Sequence, residues 1–241
     1  MGVNEKDHVT EAFTELAPNY YQTMNQELVQ FWGISYPKFV EHLVKIADVR
    51  QGEKVLDIAT GTAVIPQKLN SINQQQEHIV GLDITPAMLL QGHREIRAYG
   101  IGQKIDLVCA SAMDMPFADQ TFEVIICGLG THHMNVPNML ADAKRLLNKN
   151  GRLIISDVGA TPFWRSFMGK ILLRLLMWQY GFVKHSARSQ AELEAFNNVR
   201  TASEWRTLLN DYGFTNVSID EVKPRLPWFP SGLTLQAEIT A

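Results

Sequence analysis

Three groups of residues in this 241-residue chain have types and spacings that can do chemistry. The first is the run Lys54-Val55-Leu56-Asp57-Ile58-Ala59-Thr60-Gly61-Thr62-Ala63. It reads as a buried strand, a tight turn of small residues and the start of a helix. Small side chains in such a turn leave backbone N–H groups uncovered, so a ligand can approach closely. The second is Asp83, twenty-two residues after Gly61, closing an apolar run from His78 to Leu82. A carboxylate at a strand end can accept hydrogen bonds from both hydroxyls of a ribose. The third is the pair His132-His133, which follows the apolar run from Phe122 to Cys127. An imidazole titrating near 6.5 suits a base at neutral pH. Adjacent histidines are expected to point apart, and no further close Asp, Glu or His completes a set, so no metal is expected.

The turn and Asp83 together outline a nucleoside site. A dinucleotide site would carry G-x-G-x-x-G, and the run from Gly61 to Pro66 lacks the later glycines. Asp57 stands just ahead of the turn, where it would repel a pyrophosphate and suits a ligand carrying an ammonium or sulfonium instead.

Positioning these groups requires alternating strands and helices. Strands are expected at Val55 to Ile58, His78 to Leu82, Ile105 to Cys109, Phe122 to Cys127 and Arg152 to Ser156. Helices are expected from about 63 to 71, from Thr85-Pro86 to about Tyr99, and from about Pro137 to Leu147, stopped at Lys149-Asn150-Gly151. This rhythm argues for a parallel, doubly wound α/β sheet. A helix near Ala202 to Tyr212 then leads to Phe214–Ile219 and Leu233–Ile239, which read as a closing strand pair. Residues 1–52 form a helical cap by their three- and four-residue apolar spacing, and 53–241 form the sheet domain. Residues 158–200 interrupt the rhythm with the apolar stripe Phe163, Trp164, Phe167, Ile171, Leu172, Leu175, Leu176 and Trp178. Between Val158 and Ala191 stand Arg165, Lys170, Arg174, Lys184 and Arg188, with no Asp or Glu. This insertion is expected to lie as a helical lid over the carboxyl ends of the strands, with weak contact to an anionic membrane surface through its basic residues.

A net charge of -3 and pI near 6.2 do not suggest a nucleic-acid partner. Two cysteines, Cys109 and Cys127, make a disulfide framework implausible and point to a reducing, cytoplasmic setting. No signal pattern opens the chain, and no window has 18 uncharged apolar residues.

Four ordered motifs carry a resemblance. Val55-Leu56-Asp57-Ile58-Ala59-Thr60-Gly61-Thr62 resembles the first motif of class I S-adenosylmethionine-dependent methyltransferases, and Gly81-Leu82-Asp83-Ile84-Thr85-Pro86-Ala87-Met88-Leu89 resembles the second. The run from Ala110 to Ile125 is similar to the family's adenine motif, and Leu146 to Asp157 to its loop and fifth strand. Phe13 to Asn25 further resembles the opening of the ubiquinone and menaquinone C-methyltransferases, whereas the C-terminal third matches only loosely. Departures are Ala59 and Ala63 where the family usually has glycine, and Ser111 where it often has Asp.

The resemblance implies a Rossmann-like, seven-stranded fold with S-adenosyl-L-methionine as cofactor. It implies that Asp57 and the backbone of Ala59, Thr60, Gly61 and Thr62 hold the methionine end, and that Asp83 holds the ribose. Ile84, Ser111, Ala112 and Met113 would frame adenine, with Met88 on the helix behind. Cys127 and Gly128 would face the sulfonium, and Tyr20 would close the site. His132 or His133 would act as a base toward a small, lipophilic or aromatic acceptor such as a quinone precursor or natural product. The alternatives are a cofactor-bearing scaffold or cyclase on the same fold, a nicotinamide oxidoreductase, and a membrane-surface adaptor.

Overall fold

The computed structural model describes residues 5–72, 78–100, 104–169, 171–172 and 187–240. Seven strands make one sheet: β1 (Val55–Ile58), β2 (Ile79–Asp83), β3 (Ile105–Cys109), β4 (Phe122–Gly128), β5 (Leu147–Gly159), β6 (Thr215–Val222) and β7 (Ser231–Glu238). Their order is β3-β2-β1-β4-β5-β7-β6. The first five run parallel, and β7 lies antiparallel between β5 and β6. Among the described residues the α-helices are α1 (Glu5–Leu16), α2 (Tyr20–Trp32), α3 (Tyr36–Ala47), α4 (Val64–Ile72), α5 (Pro86–Ala98), α6 (Val136–Leu146), α7 (Pro162–Arg165), α8 (Ala187–Ala195) and α9 (Ala202–Asp211). No described helix is long and apolar enough to cross a membrane.

The two faces of the sheet follow from the two-residue period of a strand. On β4, Val124 and Ile126 join one buried cluster, and Ile125 and Cys127 join the other. The first cluster also takes Tyr20, Met24, Leu28 and Trp32 from α2 and Phe39, Val40 and Leu43 from α3. The N-terminal helices therefore share a core with β1 and β4. After β1 the chain winds to β2 and β3, then returns to place β4 on the other side of β1. A crevice opens at such a switch point, beyond the carboxyl ends of the strands.

The β1 to β4 strands fall within a residue or so of their expected spans. β5 does not: it begins at Leu147 and runs to Gly159, not from Arg152 to Ser156. Asn150 does take the left-handed conformation expected of turn chemistry, at φ +63°. Pairing nevertheless continues on both sides of it, Leu147 opposite Phe122 and Arg152 opposite Val124, so these residues form an irregularity inside the strand. At the other end β7 pairs with β5 as far as Gly159, opposite Ser231, and so holds Asp157 inside the sheet.

Of the insertion, Leu175, Leu176, Trp178, Lys170, Arg174 and Lys184 lie outside the described residues. Trp164 is buried and stacks on Phe196 at 4.9 Å. Phe167 is 78% exposed, so the stripe does not continue into the core there. The two described cations are held internally: Arg165 pairs with Glu204 at 2.8 Å, and Arg188 with Glu27 at 2.5 Å. The expected basic rim is therefore already neutralised at these two positions.

Arg152 fastens the cap to the sheet. Its guanidinium donates to the Ala47 carbonyl at 2.8 Å and the Asp48 carbonyl at 2.6 Å, and forks onto Glu53 at 2.6 and 2.7 Å. Removing one partner of a buried, bidentate pair leaves the other uncompensated. Arg152→Leu should lower the unfolding free energy by about 3 kcal/mol in urea melts; a loss under about 1 kcal/mol would show the pair to be incidental.

Candidate active site

The crevice is a cavity of about 440 Å³. Its floor is the turn after β1, where Ala59, Gly61 and Ala63 all have positive φ, at 54°, 57° and 60°. Two alanines thus sit where glycine is at ease. The Ala59 Cβ fills space that a side chain at residue 130 would need, since a Cβ built on Gly130 would come within 2.7 Å of it. Ala63 is fully buried. At Gly61 a Cβ would meet Met88 Cε at 3.1 Å and the Tyr20 ring at 3.6 Å. A side chain there would close the cradle between the turn and those residues.

Asp83 ties this turn to the one after β2. Its Oδ2 accepts the Gly61 N–H and its Oδ1 the Thr85 N–H, both at 2.8 Å. The Gly61 N–H is thus engaged by the carboxylate and is not bare. Burial raises the Asp83 pKa above its ordinary value, and the backbone donors act against that rise.

Asp57 is fully buried. The Thr60 hydroxyl donates to its Oδ2 at 2.7 Å, while Oδ1 is buried without a partner. Burial pushes its pKa up to about 8, against the Thr60 hydrogen bond and with the help of Asp83. A buried acceptor with nothing to accept from is chemically suited to a cationic donor, and Asp57 lies beneath the turn that lines the cavity.

Tyr20, Ala59, Gly61, Asp83, Ile84, Met88, Ala112, Met113 and His133 all line this one cavity. The other candidates do not: Asp57 is buried beneath the turn and is not part of the lining. Thr60 is buried behind the turn on Asp57. Thr62 is buried with its hydroxyl unpartnered. Ser111 accepts the Met113 N–H at 3.3 Å. Cys127 belongs to the core cluster on one face of β4, and Gly128 faces Ile65 and Leu43 on the other. Strand alternation turns both away from the cavity. Burial pushes the Cys127 thiol well up, so it is a neutral packing group.

His132 and His133 lie in a single helical turn, Thr131–His133. Their rings do not point apart: the centroids are 4.2 Å apart. A three-residue helical turn separates neighbouring side chains by roughly 120°, not the 180° of a strand, so the two rings can meet. His132 stands behind the cavity wall, with Nδ1 2.7 Å from Asp157 Oδ1. Asp157 also accepts the Thr131 N–H and hydroxyl, the His132 N–H and the Val158 N–H. Burial opposes the charge on His132, but Asp157 outweighs it and the pKa rises to about 8. His133 faces the cavity edge-on to Phe13 at 5.2 Å. Burial, then the charge of His132, hold it well below the usual range, so it is neutral. Both of its ring nitrogens are buried without partners.

The cavity has a second, apolar end that sequence reading does not find: Val9 and Phe13 from α1, with Leu129 and Met134 after β4. Asp157 likewise escapes it as a functional group. A signal exists, since Asp157 is a third acidic residue near a strand's carboxyl end, after Asp57 and Asp83.

The chain matches the model of the ubiE/COQ5 methyltransferase family over residues 1–222. The chain belongs to that family. It is an S-adenosylmethionine-dependent methyltransferase with a Rossmann-like fold. The ubiquinone/menaquinone biosynthesis C-methyltransferase of Cronobacter sakazakii is similar to this methyltransferase at 27% identity, over 88% of this chain and 84% of that one. A demethylmenaquinone methyltransferase of Bacillus velezensis is 27% identical over 90% and 93%. Among solved structures, the [4+2]-cyclase SpnF superposes with a TM-score of 0.74 at 13% identity, covering 100% of this chain and 98% of that one. At that identity it speaks for the fold alone.

Asp57 must be ionised to accept from an ammonium, and the protonated form dominates below its pKa. S-adenosylhomocysteine affinity should therefore rise from pH 6 to about 8 and then level. Asp57→Asn should bind more weakly with a flatter profile over that range. Calorimetry at four pH values checks this; a wild-type affinity flat from pH 6 to 8 would contradict it.

Proposed function

We propose that this methyltransferase acts on a small lipophilic or aromatic acceptor carrying an ionisable hydroxyl, of the quinone-precursor class. The observation that supports this is the polarity of the cavity beyond the turn after β1. Asp83 lines the cavity near the turn after β1, with Asp57 buried beneath that turn, and Val9, Phe13, Leu129 and Met134 add apolar lining, with His133 as the titratable group among them. An acidic end suits a cofactor with an ammonium and a ribose. An apolar end suits a flat or lipid-like acceptor.

In this reading Asp57 accepts from the cofactor's ammonium and Asp83 from its ribose hydroxyls. Ile84, Ala112 and Met113 flank the adenine, and Tyr20 covers the turn. When bound, the cofactor supplies a methyl group on a sulfonium with a good leaving group. What remains for the protein is alignment, worth about 7 kcal/mol or more, and exclusion of water. Phe13 and Met134 provide the dry wall, and neutral His133 offers a ring nitrogen to the acceptor hydroxyl. The Asp157–His132 pair fixes the turn that carries His133. Ser111, Thr60 and Thr62 shape the walls from behind.

Asp83→Ala should weaken S-adenosylhomocysteine at least 100-fold, because two hydrogen bonds to a charged group are lost at about 1.5–3 kcal/mol each. Its circular dichroism should stay that of the parent. Incubation with methyl-labelled cofactor and a panel of phenolic and quinol acceptors then tests the acceptor class. Label transfer to lipophilic phenols, reduced at least tenfold in His133→Ala, is expected. Transfer only to polar amines or to protein would overturn the reading.

A further inference from the structure

Three potential metal ligands meet beside the cavity, which His133 lines. His132, His133 and Glu192 each offer one ligand atom, and these atoms all lie within 4.8 Å of one another. Glu192 comes from α8, sixty residues along the chain. It is delivered by the packing of α8 against α1 and against the turn that carries the histidines.

The three groups are not satisfied by one another. Both ring nitrogens of His133 are buried with no hydrogen-bond partner, which is costly for an imidazole. His132 is already oriented as a metal-binding imidazole would be. Its Nδ1 faces a carboxylate at 2.7 Å, so Nε2 is the nitrogen left for an ion, which would bind there in place of a proton. Asp157 in turn is fixed by four further donors from Thr131, His132 and Val158. Glu192 has Arg188 as a neighbour at 3.7 Å, a loose contact that does not lock the carboxylate.

We propose that His132, His133 and Glu192 form a binding site for a divalent transition cation, with Asp157 as the outer partner that orients His132. Two imidazoles and one carboxylate suit zinc, cobalt, nickel or ferrous ions better than magnesium or calcium, which prefer all-oxygen sets. Ligand atoms about 2.0–2.2 Å from such an ion stand about 3–3.5 Å from each other, so side-chain rotation closes the remaining gap. Three protein ligands leave at least one position open on the cavity side. An oxygen of an acceptor, such as a phenolic or enolic hydroxyl, can take it and ionise more readily there. The site also joins α8 to the turn after β4, because one ligand comes from the helix and two from the turn.

The cation site goes beyond the acceptor assignment and is tested without any acceptor. Apo protein, stripped with a chelator, is titrated with zinc and, separately, with cobalt. One ion per chain is expected, with a cobalt absorption band typical of nitrogen and oxygen ligands. Glu192→Gln and His133→Ala should each weaken zinc at least tenfold, and Asp157→Asn tenfold to a hundredfold. S-adenosylhomocysteine affinity of Glu192→Gln should match the parent, which separates the metal site from the cofactor site and from misfolding. No saturable binding by the parent, or equal binding by parent, Glu192→Gln and His133→Ala, would overturn the proposal.

Discussion

The hydrogen bond from the Gly61 N–H to Asp83 Oδ2, 2.8 Å long, joins the turns that follow two neighbouring strands. Much of the site depends on it. It sets the floor of the cavity against the end of β2, and it places the other oxygen of Asp83 on the Thr85 N–H at the head of α5. The turn it fixes contains three residues of positive φ within five, two of them alanine. A left-handed alanine costs about 1 kcal/mol or more, so the surroundings must impose the shape. Close packing does so: Gly81 has no room for a side chain, since a Cβ there would come within 2.7 Å of Thr60 Oγ1 and 2.8 Å of Leu107. Thr60, so pinned, holds Asp57.

Three acidic residues near the ends of parallel strands meet three different fates. Asp57 has one oxygen without a partner and is pushed up to about 8 by burial. Asp83 is raised by burial but bound by two backbone donors. Asp157, although equally buried, is held below the ordinary carboxylate range by His132 and Thr131. Environment alone separates them. The outcome is an unpartnered carboxylate oxygen beneath the turn after β1 and a neutral imidazole lining the cavity, on a turn braced by an ion pair.

Strand positions are legible in the sequence because a parallel strand covered on both faces is a continuous apolar run. β1 is buried at all four positions and its expected span is the observed one. β5 reads short because Lys149-Asn150-Gly151 has turn chemistry, and a turn-like conformation inside a paired strand leaves no mark in the sequence. Of the residues that line the cavity, Gly61 and Asp83 are legible because local spacing announces them, as is Asp57 beneath them. His132 with Asp157, and Glu192 with both histidines, are not. These partners are 25 and about 60 residues apart and meet only through β5 and α8. The expectation that neighbouring histidines diverge is sound for a strand and fails in the short helical turn that carries them.

The turn after β1, with Asp57 and Asp83, is the proposed seat of the cofactor. A crystal structure with S-adenosylhomocysteine tests it most directly. The ligand's amino group is expected on Asp57 Oδ1 and both ribose hydroxyls on Asp83, with the Gly61–Asp83 hydrogen bond intact. A ligand bound elsewhere, or bound in this cavity with its amino group away from Asp57, would contradict it.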